Sequence, residues 1–112
     1  MKKKYHPDDI EFRLSSFLLG EIRRRKSDYR EPNLQKWAVH IDRMIRLDKR
    51  KPEKIKQVIL WCQLDDFWQN NILSTEKLRK HFDRLELQMT KKKPESFDEK
   101  LARLAKEKKE GK

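Results

Sequence analysis

The chain of 112 residues carries 30 Lys or Arg and 19 Asp or Glu, which gives a formal net charge of +11 and a charged fraction of 44%. A typical soluble domain is roughly a quarter charged. No apolar run approaches the ~18 residues that span a bilayer, no apolar signal segment follows the basic N-terminus, and the single cysteine, Cys62, permits no internal disulfide. These features exclude a membrane protein and a secreted disulfide scaffold, and we expect one cytoplasmic domain with a lean core.

Apolar residues recur at three- and four-residue steps along the whole chain, which predicts helices and no sheet. Pro7 and the acidic pair after it favour a helix start, and Asn33 and Ser74 are N-cap residues by type. Four main helices are predicted in chain order, with a short connector from Phe67 to Leu73 before the last of them: Asp8 to Arg25, Asn33 to Asp48, Pro52 to Leu64, and Ser74 to Met89.

The third of these helices is apolar nearly all round and is predicted to be the central one. Beyond Thr90 the composition becomes strongly basic. Residues Ser96 to Glu99 match the capping-box motif, and Leu101 and Leu104 follow it, which indicates a short amphipathic helix. Isolated helices of this length are marginal in water. The predicted fold is therefore an all-α compact bundle, with a helical domain at 1–90 and a mobile basic C-terminal tail at 91–112.

Positive charge is distributed unevenly along the sequence. Residues 52–89 carry six basic and six acidic groups, so the excess lies in the first half and in the tail. A nucleic acid is a natural partner, because each neutralised phosphate releases condensed counterions, and such binding is sensitive to salt and tolerant of sequence. A solvated helical surface is the alternative. The predicted DNA-binding residues are Arg23, Arg24, Arg25, Lys26, Lys49, Arg50, Lys51, Lys77, Lys80, Arg84, Lys91, Lys92 and Lys93.

Aromatic residues crowd into the end of the third helix and the connector. Clustered aromatics on a small helical domain usually belong to the core, so we expect Trp61 and Phe67 inside and leave the position of Trp68 open. Exposed aromatics beside cations would instead stack on single-stranded bases or anchor a protein interface. On that interpretation the predicted partner-binding residues are Phe67, Trp68, Asn71 and Ile72.

The sequence contains no pattern that indicates catalysis or a metal site. Asp65 and Asp66 are adjacent, so their side chains point in different directions, and no third ligand follows at helical spacing. The three histidines and Cys62 are too scattered for zinc, and no serine has a neighbouring base. We therefore predict no enzyme, no catalytic residue, no metal and no cofactor.

Two stretches carry a resemblance to a known family. The segment from Val58 to Ser74, VILWCQLDDFWQNNILS, followed by Lys77-Leu78-Arg79, resembles the C-terminal region of replication proteins from phages and prophages of Gram-positive bacteria. These proteins are often called replisome organisers or replication initiators. The upstream run from Asn33 to Ala38 is similar to the same region, and the likeness extends from about Tyr5 to Met89.

The resemblance implies a region that binds single strands or recruits the host helicase loader and replicative helicase. In that family an N-terminal winged helix usually contacts the origin, and because none precedes Tyr5 we do not expect origin recognition here. The predicted function is a non-catalytic module of phage DNA replication, with single-stranded DNA as the favoured partner. The alternatives are a protein adaptor of the replisome that touches no DNA, and an RNA-binding accessory protein.

Overall fold

The computed structural model describes residues 4–92 and 95–110. Within this part of the chain there are helices and turns and no strand, as predicted. The elements in chain order are α1 (Ile10–Arg25), α2 (Leu34–Arg46), α3 (Pro52–Leu64), a 3₁₀ turn (Trp68–Asn70), α4 (Thr75–Lys91) and α5 (Glu95–Glu110).

Local signals fix the helix starts. The Asn33 side chain accepts a hydrogen bond from the backbone N–H of Lys36 at 3.1 Å, and Ser74 accepts one from Lys77 at 3.1 Å. Each cap satisfies a backbone donor that has no partner within its helix. Pro52 occupies the first turn of α3, where its missing N–H costs nothing. Both predicted caps and the predicted start of α3 are confirmed.

The core forms around α3, which contacts α1, α4, the 3₁₀ turn and α5. Five consecutive side chains of α3, from Val58 to Cys62, are fully buried, and so is Ile55 one turn earlier. The second helix packs against α1 and α4. The prediction that α3 is the central helix is therefore confirmed, and the positions of α4 and the connector follow from their packing on it.

The C-terminal part differs from the prediction. Instead of a mobile tail after four helices, a fifth helix is docked on α3. The Phe97 ring is only 2% exposed, and Leu101 and Leu104 pack against the core. The ammonium of Lys100 lies 2.9 Å from a carboxylate oxygen of Glu21 on α1. A helix that is marginal in isolation becomes stable when one face is buried by tertiary packing.

Candidate nucleic-acid interface

The connector between α3 and α4 is held by buried hydrogen bonds. One carboxylate oxygen of Asp65 accepts the backbone N–H groups of Phe67 at 3.1 Å and Trp68 at 3.0 Å. The Trp68 ring is 4% exposed, and its indole N–H donates to the side chain of Gln88 at 2.8 Å, while Ile72 is fully buried. The assignment of Trp68 and Ile72 to an exposed partner surface is corrected here, because both side chains lie inside and pack beneath the connector.

Phe67 is the aromatic residue that the connector presents to solvent. Its side chain is 63% exposed and stands edge-on to the Trp68 ring, with the two ring centroids 4.9 Å apart. The Asn71 side chain, also on the surface, donates to the Phe67 carbonyl at 2.6 Å. The expectation that Phe67 belongs to the core is wrong: Asp65 turns the chain so that the next ring, Trp68, takes the inner position.

The exposed cations of α4 form a single row. At 3.6 residues per turn, four of them fall within a sector of about 60° and extend over about 21 Å of the helix. We call this row the α4 basic stripe, and its members are Lys77, Lys80, Arg84 and Lys91. Among the described residues none of the four makes an ion pair, whereas two acidic side chains of α4, Asp83 and Glu86, face Arg50 from another sector.

His81 joins the connector to the α4 basic stripe. Its ring centroid lies 5.5 Å from that of Trp68, and it is one or three residues from the nearest stripe members. The pKa of His81 is lowered, first by burial and then by the positive charges of Lys80, Arg84 and Lys77. Phe67, Trp68 and His81 thus form a continuous series of rings that ends beside a positively charged helix face.

The basic cluster at the end of α1 is largely engaged within the protein. Arg23 donates to the backbone carbonyl of Tyr29 at 2.9 Å and 3.1 Å, and Arg24 pairs with Glu21 at 3.3 Å. Arg25 donates to the side chain of Gln63 and to a connector carbonyl, and Lys26 lies 3.4 Å from Asp28. These four predicted DNA-binding residues are not brought next to one another as a row of unpaired charges.

The other predicted cations divide into paired and exposed groups. Arg50 lies over the Phe82 ring and pairs with Asp83 and Glu86, whereas Lys49 and Lys51 are exposed. Lys92 is exposed, and its ammonium lies 3.6 Å from Asp65. Lys93 lies outside the described residues. Sequence spacing could not show pairing, which separates the α4 basic stripe, together with Lys49 and Lys51, from cations that neighbouring acids neutralise.

The described part of the chain contains neither a metal-ligand cluster nor a helix that could span a membrane. No cluster of three or more His, Cys, Asp or Glu side chains has the spacing of a metal site in this part of the chain. None of the helices there combines the length and the apolar character that crossing a membrane requires.

Together these features define a compact all-helical domain in which α4 carries a row of exposed cations that make no ion pair in the described chain, and the connector before it presents an aromatic ring to solvent. The chain belongs to the family of phage replication protein O, C-terminal domain, whose family model matches residues 13–92. The matched range runs from α1 to the end of α4. Membership of this family supports a role in phage DNA replication.

Individual relatives agree with this membership. Replication protein 15 of Enterobacteria phage phi80 is 37% identical over 57 residues, which is 51% of this chain and 19% of that protein. Replication protein O of Escherichia phage lambda is 36% identical over 62 residues, covering 55% of this chain and 19% of the relative. Protein YfdO of Escherichia coli K12 is 37% identical over 71 residues, covering 63% of this chain and 55% of the relative.

The chain thus corresponds to about a fifth of the two phage replication proteins and about half of YfdO. No solved structure matched it. These relatives come from Escherichia coli and its phages, so the association with Gram-positive hosts that the sequence resemblance suggested is not shown, whereas the replication family itself is.

Proposed function

We propose that this domain is a non-catalytic module of phage DNA replication that binds single-stranded DNA. Phosphates lie along the α4 basic stripe, and a base stacks on the exposed face of Phe67. The observation that carries the proposal is the ring series Phe67, Trp68 and His81, because it leads from an exposed aromatic to a histidine that senses the charges of Lys77, Lys80 and Arg84, which have no acidic partners in the described chain.

The surface formed by the α4 basic stripe and Phe67 suits a single strand better than a duplex. Bases of a duplex are stacked on each other and present no free ring face, whereas an unpaired base can leave the strand and stack on an aromatic side chain. Stacking tolerates every base, and phosphate contacts carry no sequence information. The expected binding is therefore tolerant of sequence, selective for single strands and sensitive to salt.

Fluorescence anisotropy with a labelled mixed-sequence oligonucleotide tests this function. With four phosphate contacts on a single strand, the logarithm of the association constant falls with a slope of about −2.8 against the logarithm of salt, so Kd rises about 50-fold from roughly 50 to 200 mM salt. A duplex of equal length is the comparison. Absence of binding by the folded chain at the lower salt concentration would refute the proposal.

A pH dependence should accompany this binding because of His81. Its pKa in the free chain is below the ordinary value, partly because of Lys77, Lys80 and Arg84. Phosphates neutralise these neighbours and so raise the pKa of His81 in the complex, which means that binding takes up a proton. Affinity should therefore increase as the pH falls from about 8 to 6, by up to about tenfold per unit of pKa change.

The measurement is anisotropy at several pH values and constant ionic strength, with His81→Gln beside the parent chain. The variant should lose the increase at low pH. His40, on α2, is the matched control, because burial lowers its pKa too and the charged residues that act on it, Glu76, Arg43 and Arg79, do not belong to the stripe. His40→Gln should keep the full pH dependence, and a loss of that dependence in His40→Gln instead of His81→Gln would contradict the assignment.

The second candidate function is that of a protein adaptor which recruits the host helicase loader or replicative helicase without touching DNA. Leu87 favours it, since this side chain is 65% exposed on α4 between Arg84 and Lys91. Apolar contacts flanked by cations suit an acidic protein partner. The adaptor would be favoured by two results together. The folded chain does not bind DNA at low salt, and the Leu87→Ser variant no longer binds the helicase loader that the parent chain binds.

A further inference from the structure

The end of α1 holds the connector through side chains that lie far away in sequence. One guanidinium nitrogen of Arg25 donates to the side-chain oxygen of Gln63 at 2.8 Å, and the other donates to the carbonyl of Gln69 at 2.5 Å. The same Gln63 amide uses its nitrogen to donate to the carbonyl of Ile72 at 2.8 Å. Arg25 and Gln63 together therefore hold the connector at two points, on either side of Asn71.

These contacts lie next to Phe67, the aromatic residue that the connector presents to solvent. Phe67 is two positions before Gln69, and the carbonyl of Asp65 accepts the backbone N–H of Gln69 at 2.9 Å. Gln63 is only 3% exposed, so its amide has no access to water and must be satisfied by protein groups. The backbone from 65 to 72 is consequently fixed at both ends, by Asp65 at the start and by the Arg25–Gln63 pair beyond Phe67.

We propose that Arg25 is a positioning residue for DNA binding: it sets the place of Phe67 through the connector and does not itself contact phosphate. This inference rests on the proposed binding of single strands and revises the sequence-based assignment of Arg25 to the DNA-contacting set. Two of its guanidinium nitrogens are directed to Gln63 and to the connector, and the planar fork of Arg suits two acceptors in fixed directions. The ammonium of lysine has three donors on a flexible stem but lacks this fixed planar fork.

The test combines Arg25→Gln and Phe67→Ala, singly and together, in a double-mutant cycle with single-stranded DNA. Removing the stacking ring should weaken binding by about 5- to 100-fold. Arg25→Gln should weaken it several-fold with an unchanged salt slope, and it should have no further effect when Phe67 is already Ala, because the two changes remove the same contribution. Circular dichroism and thermal unfolding verify that each variant is folded.

Two further variants separate positioning from charge. Arg24→Gln removes the same charge from the neighbouring residue, which is exposed and pairs only with Glu21 among the described residues, and it should change affinity less than twofold. Gln63→Leu removes the Arg25–Gln63 and Gln63–Ile72 hydrogen bonds without changing any charge, and it should also weaken binding several-fold with an unchanged salt slope.

A salt slope that becomes shallower by about 0.7 in Arg25→Gln would overturn the inference, because that is the effect of losing one phosphate contact on a single strand. Full affinity in this variant, or an equal loss with and without Phe67, would overturn it as well. A failure of the proposed function looks different, since the parent chain itself would then not bind single-stranded DNA.

Discussion

Replacing Lys77, Lys80 and Arg84 together by glutamine should weaken binding to single-stranded DNA about 500-fold at roughly 50 mM salt. Each phosphate contact on a single strand contributes about 0.7 to the salt slope, which at this salt concentration corresponds to about an eightfold gain in affinity. The loss of three contacts, each worth about eightfold in affinity, gives the expected decrease of about 500-fold. The three side chains are exposed and make no ion pair within the described chain, so the fold should be unaffected.

The salt slope provides an independent readout of the same variant. It should change from about −2.8 to about −0.7, because Lys91 alone remains of the α4 basic stripe. At higher salt the parent and the variant should therefore converge. Anisotropy titrations at four or five salt concentrations give both the affinity and the slope from one set of data.

The matched control removes equal charge from other surfaces. Arg13, Arg30 and Lys36 are exposed on α1, on the following loop and on α2, and their joint replacement by glutamine also lowers the net charge by three. The affinity of this control variant for DNA should fall only a few-fold, because its lower net charge weakens the long-range electrostatic attraction. Equal losses in the two triple variants would mean that the net charge, and not the stripe, attracts DNA.

The helices were predictable because their signals are local. Asn33 and Ser74 cap the helices that follow them, and Pro52 lies in the first turn of α3, so each start depends on a few neighbouring residues. The alignment of Lys77, Lys80 and Arg84 follows in the same way from helical spacing alone. The first helix begins at Ile10, two residues later than predicted, because residues 7–9 form a turn in which Asp9 bonds back to His6.

The candidate site was only partly predictable because its decisive contacts are distant in sequence. Which of two adjacent rings, Phe67 or Trp68, faces solvent depends on Gln88, 20 residues away, and on His81. The role of Arg25 depends on partners 38 and 44 residues further along the chain. A charge count treats Arg25 and Lys80 alike, whereas in the folded protein Arg25 donates hydrogen bonds to Gln63 and Gln69 and Lys80 makes no ion pair among the described residues.

Phe97→Ala should lower the free energy of unfolding by about 3–5 kcal/mol, the usual cost of removing a buried phenylalanine from a packed core. Its ring is 2% exposed, and α5 contacts α3, so the loss should affect the whole domain and not only the last helix. Since 1 kcal/mol shifts Tm by roughly 4–8 °C in a domain of about this size, Tm should fall by more than about 10 °C.

Urea and thermal unfolding followed by circular dichroism measure this change. Leu87→Ala is the control, because that side chain is 65% exposed and most surface substitutions stay within about 0.5 kcal/mol. The experiment decides between a docked α5 and the mobile tail that the sequence alone predicted, since a mobile tail would leave the free energy of unfolding unchanged in Phe97→Ala. Hydrogen exchange adds a second criterion. Amides of residues 97–104 should be protected in the parent chain and exposed in the variant, and fast exchange there in the parent would contradict docking by Phe97, Leu101 and Leu104.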